Sequence, residues 1–178
     1  MENYIVVRII HGSRRRTLFK NETHELFGKL GGHVAIQIHG HVYGFYYSDI
    51  NDIHIFPRVN NKKCEYQKQT LAEWEAIIRE KKETTVKIPV TEADVSFLLD
   101  YYNKNLEEPT HDYSFFGERC ASSCYHLLKK LNIMSGGSYY FMAFYPAQFR
   151  KKLLKQAAKK GYMVSVKEGD TSRIWEGD

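Results

Sequence analysis

A short β-hairpin is the sequence feature that most constrains how this chain can fold. Two runs rich in β-branched and aromatic residues, 33–38 and 41–47, are separated by His39-Gly40. A two-residue connection with a glycine favours a tight turn between antiparallel strands. If the turn is centred on these two residues, Tyr46 lies opposite His33 on the paired strand. A register slip of one residue would replace that partner.

Helices follow the hairpin, and capping residues mark where two of them begin. Thr70 and Thr91 each precede an acidic residue by three positions, and apolar residues then recur at helical spacing. A third helix is predicted over 119–131, and a fourth begins at Pro146 and ends at Gly161. The other predictions are strands over 4–10, 52–56, 84–90 and 162–167, a helix over 23–30, and loops over 60–68 and 103–112. This order predicts an α+β protein in which a small antiparallel sheet packs against helices.

Length and composition fit one globular domain spanning residues 1–178. The chain is 43% hydrophobic, which is enough to form a core. Its net charge is +5, and we interpret the basic clusters at 14–16 and 150–160 as solvated faces, with attraction to anionic partners as the alternative. No nucleic-acid motif and no transmembrane run are present, so neither partner is predicted. The lack of a secretory signal predicts a cytoplasmic location, or a periplasmic or secreted one if a signal has been removed.

Cysteine usage points to thiol chemistry rather than to disulfides. The three cysteines, Cys64, Cys120 and Cys124, are too few for a disulfide framework. Cys120 falls in the first turn of a predicted helix, where the positive end of the helix dipole stabilises a thiolate. His33, on a stiff strand, can take and return the thiol proton. Cys124 lies one turn further along and fits a small core residue better, which is also the alternative reading of Cys120.

Neither a metal nor a cofactor is predicted. His39 and His41 form a His-x-His pattern, but they sit at a turn with no cysteine or carboxylate at ligand spacing. The aromatic run at 139–145 is interpreted as core or as the rim of a groove, with a stacking surface for a sugar or an apolar chain as the alternative.

Two segments of the chain resemble a known family of enzymes. GHVAI at 32–36, followed by YGFY at 43–46, resembles the His-bearing hairpin of the circularly permuted NlpC-type papain-like cysteine hydrolases, relatives of the lecithin retinol acyltransferase group. IPVT at 88–91, then YSFF at 113–116 and Arg119-Cys120, resembles their Cys-bearing segment. Arg119 stands where the family commonly has Asn. The resemblance covers about 31–133, and residues 135–178 are interpreted as a C-terminal helix–strand extension.

The resemblance implies a permuted papain-like fold and a role for each matched residue. Cys120 would be the nucleophile, His33 the general base and then acid, and backbone N–H groups at the helix start would hold the oxyanion. A third polar group orients the imidazole in such sites, and the hairpin register predicts Tyr46. Gln37, on the same strand face, is the alternative, and Ser48 and Asp49 lie further along.

The predicted function is cysteine-dependent hydrolysis of an amide bond, of peptide or peptidoglycan type, through a thioester. A lipid or protein acyltransferase that uses the same dyad on an acyl substrate is the alternative within this class. A second alternative is a catalytically inactive binding module of the same fold, which Arg119 in place of Asn favours. A third is a basic interaction protein that acts through its Lys-rich C-terminal helix.

Overall fold

The computed structural model describes residues 3–12, 32–48, 54–136, 143 and 145–170. Within them, six strands form one antiparallel sheet in the order β4-β3-β2-β1-β5-β6. The strands are β1 (Tyr4–His11), β2 (Gly32–Ile38), β3 (His41–Tyr47), β4 (Cys64–Thr70), β5 (Glu83–Pro89) and β6 (Met163–Lys167). The helices are α1 (Leu71–Ile77), α2 (Glu92–Glu107), α3 (Cys120–Lys130) and α4 (Pro146–Lys160). The predicted α+β class is therefore confirmed.

The hairpin that opens the sheet forms as the sequence predicts. β2 and β3 pair from Ile38↔His41 to Ala35↔Gly44, around a turn at His39 and Gly40. His39 takes a left-handed backbone conformation, with φ of 53°. A turn with positive φ matches the right-handed twist of the strands that it joins.

The two faces of the sheet pack against different helices, because side chains alternate along each strand. Val34, Ile36 and Ile38 of β2 join the main core with residues of α2, α3 and α4. Ala35 belongs to a second cluster with Ile10, Val42, Trp74 and Ile78, which α1 and the turn after it complete. We call the first side the main-core face and the second the α1 face.

The C-terminal segment is part of the same sheet and core. β6 pairs with β5 over five residues, from Glu83↔Lys167 to Lys87↔Met163. Phe149, Leu153 and Ala157 of α4 are buried in the main core. Gly161 ends α4 in the left-handed conformation, as predicted. The described helices include none that is long and apolar enough to cross a bilayer.

Three predictions of local structure are wrong. Residues 64–70 form β4 rather than a loop, because main-chain pairing to β3 holds a strand whose side chains are mostly polar. α2 runs to Glu107 rather than ending before 103, since buried Asn105 bonds to the Tyr101 carbonyl within the helix. Residues 54–56 make a single bridge, His54↔Ser114, rather than a strand. The predicted helix at 23–30 and most of the aromatic run lie outside the described residues.

Candidate active site

Cys120 is the first residue of α3, and local backbone bonds hold it there. Arg119, in an extended conformation, precedes the helix. Its N–H donates to the Ser122 hydroxyl at 2.8 Å, and that hydroxyl donates back to the Arg119 carbonyl at 3.2 Å. The first N–H groups of a helix have no acceptor within it, so they remain available near the Cys120 side chain.

The Cys120 sulfur lies among groups that stabilise negative charge. Burial raises the pKa of the thiol, because the charged form loses its hydration. The Val34 and Ala121 amides, the Tyr113 hydroxyl and the Arg119 charge all act in the opposite direction. The Tyr113 hydroxyl donates to the sulfur at 3.9 Å. The resting group is a thiol, but its thiolate has four stabilising neighbours.

The other two cysteines have fewer neighbours that stabilise a thiolate: Cys64 has the Tyr113 amide and the Lys62 charge, and only influences that raise the pKa act on Cys124. Cys124, on the same helix face, is buried, and burial together with the Cys120 and Glu118 charges raises the pKa of its thiol well above the ordinary value. Cys64 is half-buried and donates to the His111 carbonyl at 2.9 Å. Burial raises the pKa of Cys64 to about 11. The donor-rich environment thus distinguishes Cys120 from its neighbour one turn away.

His33 lies on the α1 face of the sheet. Its ring stacks on the Tyr46 ring with centroids 4.3 Å apart and an interplanar angle of 16°, and it lies 6.1 Å from the Trp74 ring. The residue is 2% exposed, and burial lowers the pKa of the imidazole to about 3. The ring is therefore neutral at pH 7 and, in this buried position, only weakly basic.

The structure brings the Cys120 sulfur to the backbone beside His33. The pairing of β2 with β3 stops at Ala35↔Gly44, although both strands continue. Beyond that point the Val34 amide faces the sulfur. The hydrogen bonds of the described residues include none between the Cys120 thiol and the His33 ring. The two groups are thus close through the backbone, while the imidazole is turned towards α1.

Tyr46 contacts His33 through the face of its ring. Burial raises the pKa of Tyr46, so the phenol stays neutral. Gln37 shares the strand face but accepts from Arg8 Nε at 2.8 Å and donates to the His39 carbonyl at 3.1 Å. The Ser48 N–H donates to the Lys63 carbonyl at 3.3 Å. Asp49 lies outside the described residues.

His39 and His41 flank the hairpin turn, where His39 is exposed and His41 half-buried. Within the described parts of the chain, no three His, Cys, Asp or Glu side chains are grouped to hold a metal ion.

Sequence reasoning missed the residues that position Tyr113. Asp112 accepts from His54 Nδ1 at 2.7 Å, with both side chains buried. The same carboxylate accepts from the backbone N–H groups of Arg58 at 2.9 Å and Lys63 at 2.8 Å. These bonds fix the loop after β3 against the segment that leads into α3. Residue spacing could not predict these hydrogen bonds, because their partners are far apart in sequence.

Comparison of the chain with protein-family models, curated proteins and solved structures finds no match. The function is therefore inferred from the geometry around Cys120 and His33.

Proposed function

We propose that this protein is a cysteine-dependent hydrolase that cleaves an amide bond, with the permuted papain-like (NlpC-type) arrangement of His before Cys. The observation that carries the proposal is the set of donors around the Cys120 sulfur. Two backbone amides, a tyrosine hydroxyl and an arginine charge surround this thiol, whereas only destabilising influences act on the Cys124 thiolate. A cysteine that only fills space has no need of such donors.

The proposed reaction proceeds through a thioester. The Cys120 sulfur attacks the carbonyl carbon of the substrate while its proton passes to the neutral His33 ring. The N–H groups at the start of α3 hold the negative oxygen that forms. The C–N bond then breaks, and His33 returns the proton to the departing amine. Water next attacks the thioester, which releases a carboxylic acid and restores the thiol.

The dyad requires the His33 ring to turn from its stack on Tyr46 towards the sulfur. Only three bonds separate the His33 Cβ atom from the Val34 amide nitrogen, and that amide faces the sulfur. The His33 backbone therefore lies beside Cys120, while its ring lies on the other face of the sheet. Apo active sites often hold catalytic groups apart and bring them together on substrate binding.

The test is acylation by an activated ester, p-nitrophenyl acetate, followed as nitrophenol release at pH 7. We expect turnover by the unmodified protein and by Cys124→Ser, and none by Cys120→Ser. His33→Gln should slow acylation by about a hundredfold or more, because it removes the base. Circular dichroism of each variant checks that the fold is retained.

Two results would refute the proposal. Equal rates for Cys120→Ser and the unmodified protein would show that Cys120 is not the nucleophile. An unchanged rate in a folded His33→Gln variant would show that His33 is not the general base.

A binding module without catalysis is the second candidate, and the same geometry gives it support. Cys120 is 5% exposed, burial raises the pKa of its thiol, and Arg119 is buried beside it. This candidate predicts no acylation of any variant. The acyltransferase alternative predicts acylation, but with the thioester released faster by an added amine than by water.

A further inference from the structure

A cavity of about 250 Å³ opens on the α1 face of the sheet. Glu65, Gln67 and Gln69 of the edge strand β4 form one wall, and Trp74 and Ile77 of α1 form another. Alternation along β4 directs these three polar side chains to the same side of the strand.

A glycine on the neighbouring strand makes room for the Tyr46 ring, which lines the cavity. Gly44 of β3 pairs with Gln67 on one side and with Ala35 of β2 on the other. The Tyr46 ring folds over Gly44, where an added Cβ atom would lie 2.5 Å from a ring carbon. A larger residue at position 44 would therefore displace the ring and fill the cavity.

The lining combines aromatic and apolar side chains with two glutamines and one carboxylate, that of Glu65. The other titratable groups that face the cavity are His33, Tyr46 and Tyr47. Burial lowers the pKa of His33 to about 3 and raises those of both tyrosines, that of Tyr47 to about 12, so all three are neutral at pH 7. Gln67 donates its amide to Glu65. The Trp74 N–H is already bonded to Glu83 at 2.9 Å and so leaves its ring as an apolar surface.

We propose that this cavity binds an organic cation with a short apolar body, such as the aminoalkyl side chain of lysine. The apolar body would pack against Trp74 and Ile77, and the ammonium would meet the Glu65 carboxylate and the Gln69 amide oxygen. Aromatic faces favour cations over neutral groups. A volume of about 250 Å³ holds one side chain rather than a drug-sized molecule.

The proposed binding of an organic cation is argued from the cavity alone and does not depend on the proposed catalytic function. The use of the cavity as the pocket for the amine side of the substrate rests on the proposed function, because His33 lines the cavity and would protonate the departing amine.

The experiment is calorimetric titration of Cys120→Ala with n-pentylammonium, n-pentanol and pentanoate at low salt. We expect pentylammonium to bind about fivefold more tightly than pentanol, and pentanoate to bind least. Glu65→Gln should abolish the preference for the cation. Glu75→Gln, which makes the same charge change at an exposed position of α1, should retain it. Gly44→Ala should weaken the binding of both pentylammonium and pentanol.

Equal affinity for pentylammonium and pentanol, absence of binding, or an unchanged preference in Glu65→Gln would each overturn this assignment. Since Cys120→Ala cannot form a thioester, failure of this titration is distinct from failure of acylation in the unmodified protein.

Discussion

Burial determines the protonation state of His33. The ring is held between Tyr46 and Trp74, away from water, and is neutral over the whole physiological range. Protonating an imidazole in such an apolar setting is costly unless a negative charge lies nearby. The thiolate of Cys120 would supply that charge during the proposed reaction.

The same residue makes stability depend on pH. The unfolded chain binds a proton at His33 below about pH 6.5, whereas the folded chain does so only near pH 3. Within this window the unfolded state holds more protons, so stability falls as the pH falls. The contribution of His33 is about 1.4 kcal/mol per pH unit. Urea unfolding of the unmodified protein and of His33→Gln between pH 7 and pH 4 should show a shallower pH dependence in the variant.

His11, whose pKa burial lowers to about 4, is present in both proteins and therefore cancels in the comparison. Parallel pH profiles for the two proteins would contradict the description of His33 as a buried neutral ring.

Arg119 puts a buried cation next to the candidate nucleophile. It is 8% exposed, and its guanidinium lies 5.8 Å from the centroid of the Phe115 ring. Burial lowers the pKa of Arg119, while Tyr113 and Cys120 act to raise it. A cation in this position stabilises a thiolate electrostatically, which an Asn side chain cannot do.

At the scale of elements, a buried ion pair fixes α1 to the sheet. Arg8 of β1 donates to both Glu83 oxygens at 2.9 Å, and its Nε donates to Gln37. The Trp74 indole of α1 donates to the same carboxylate at 2.9 Å. The wall of the cavity is thereby tied to three strands.

Glu83→Gln should destabilise the protein by roughly 3 kcal/mol, because it leaves the Arg8 charge buried without its counter-ion. Chemical denaturation monitored by circular dichroism measures this loss. Glu80→Gln, the same change at an exposed position just before β5, should stay within about 0.5 kcal/mol of the unmodified protein. Similar stability of both variants would show that the ion pair contributes nothing.

Elements with local signals could be predicted from the sequence. Thr70 and Thr91 each form the full capping box with the acidic residue three positions on. β4 could not be predicted, because this edge strand is polar on both sides of Tyr66 and shows no apolar alternation. Its pairing with β3 depends on main-chain contacts that no side-chain pattern encodes.

At the scale of the whole molecule, some features of the candidate site could be predicted from the sequence and others could not. The thiol at the start of a helix and the apposition of His33 and Tyr46 follow from local rules, and both are observed. The side of the sheet that His33 faces depends on where α1 packs, which is a long-range property. The cavity beside Tyr46 likewise depends on long-range packing, because its lining comes from four strands and α1.

The molecule thus uses its two sheet faces differently. The main-core face buries most apolar residues and carries Cys120, whereas the α1 face holds His33, the Arg8–Glu83 pair and the cavity. The proposed chemistry requires the His33 ring to move from the α1 face towards Cys120, where β2 and β3 stop pairing.

The most direct test of the central claim is to identify which thiol of the unmodified protein becomes acylated. The protein would be treated briefly with p-nitrophenyl acetate at pH 7, quenched in acid, digested and mapped by mass spectrometry. The donor environment of Cys120 predicts the acetyl group on Cys120, with Cys64 and Cys124 unmodified. An acetyl group on Cys64, the most exposed of the three thiols, with Cys120 unmodified, would contradict the account.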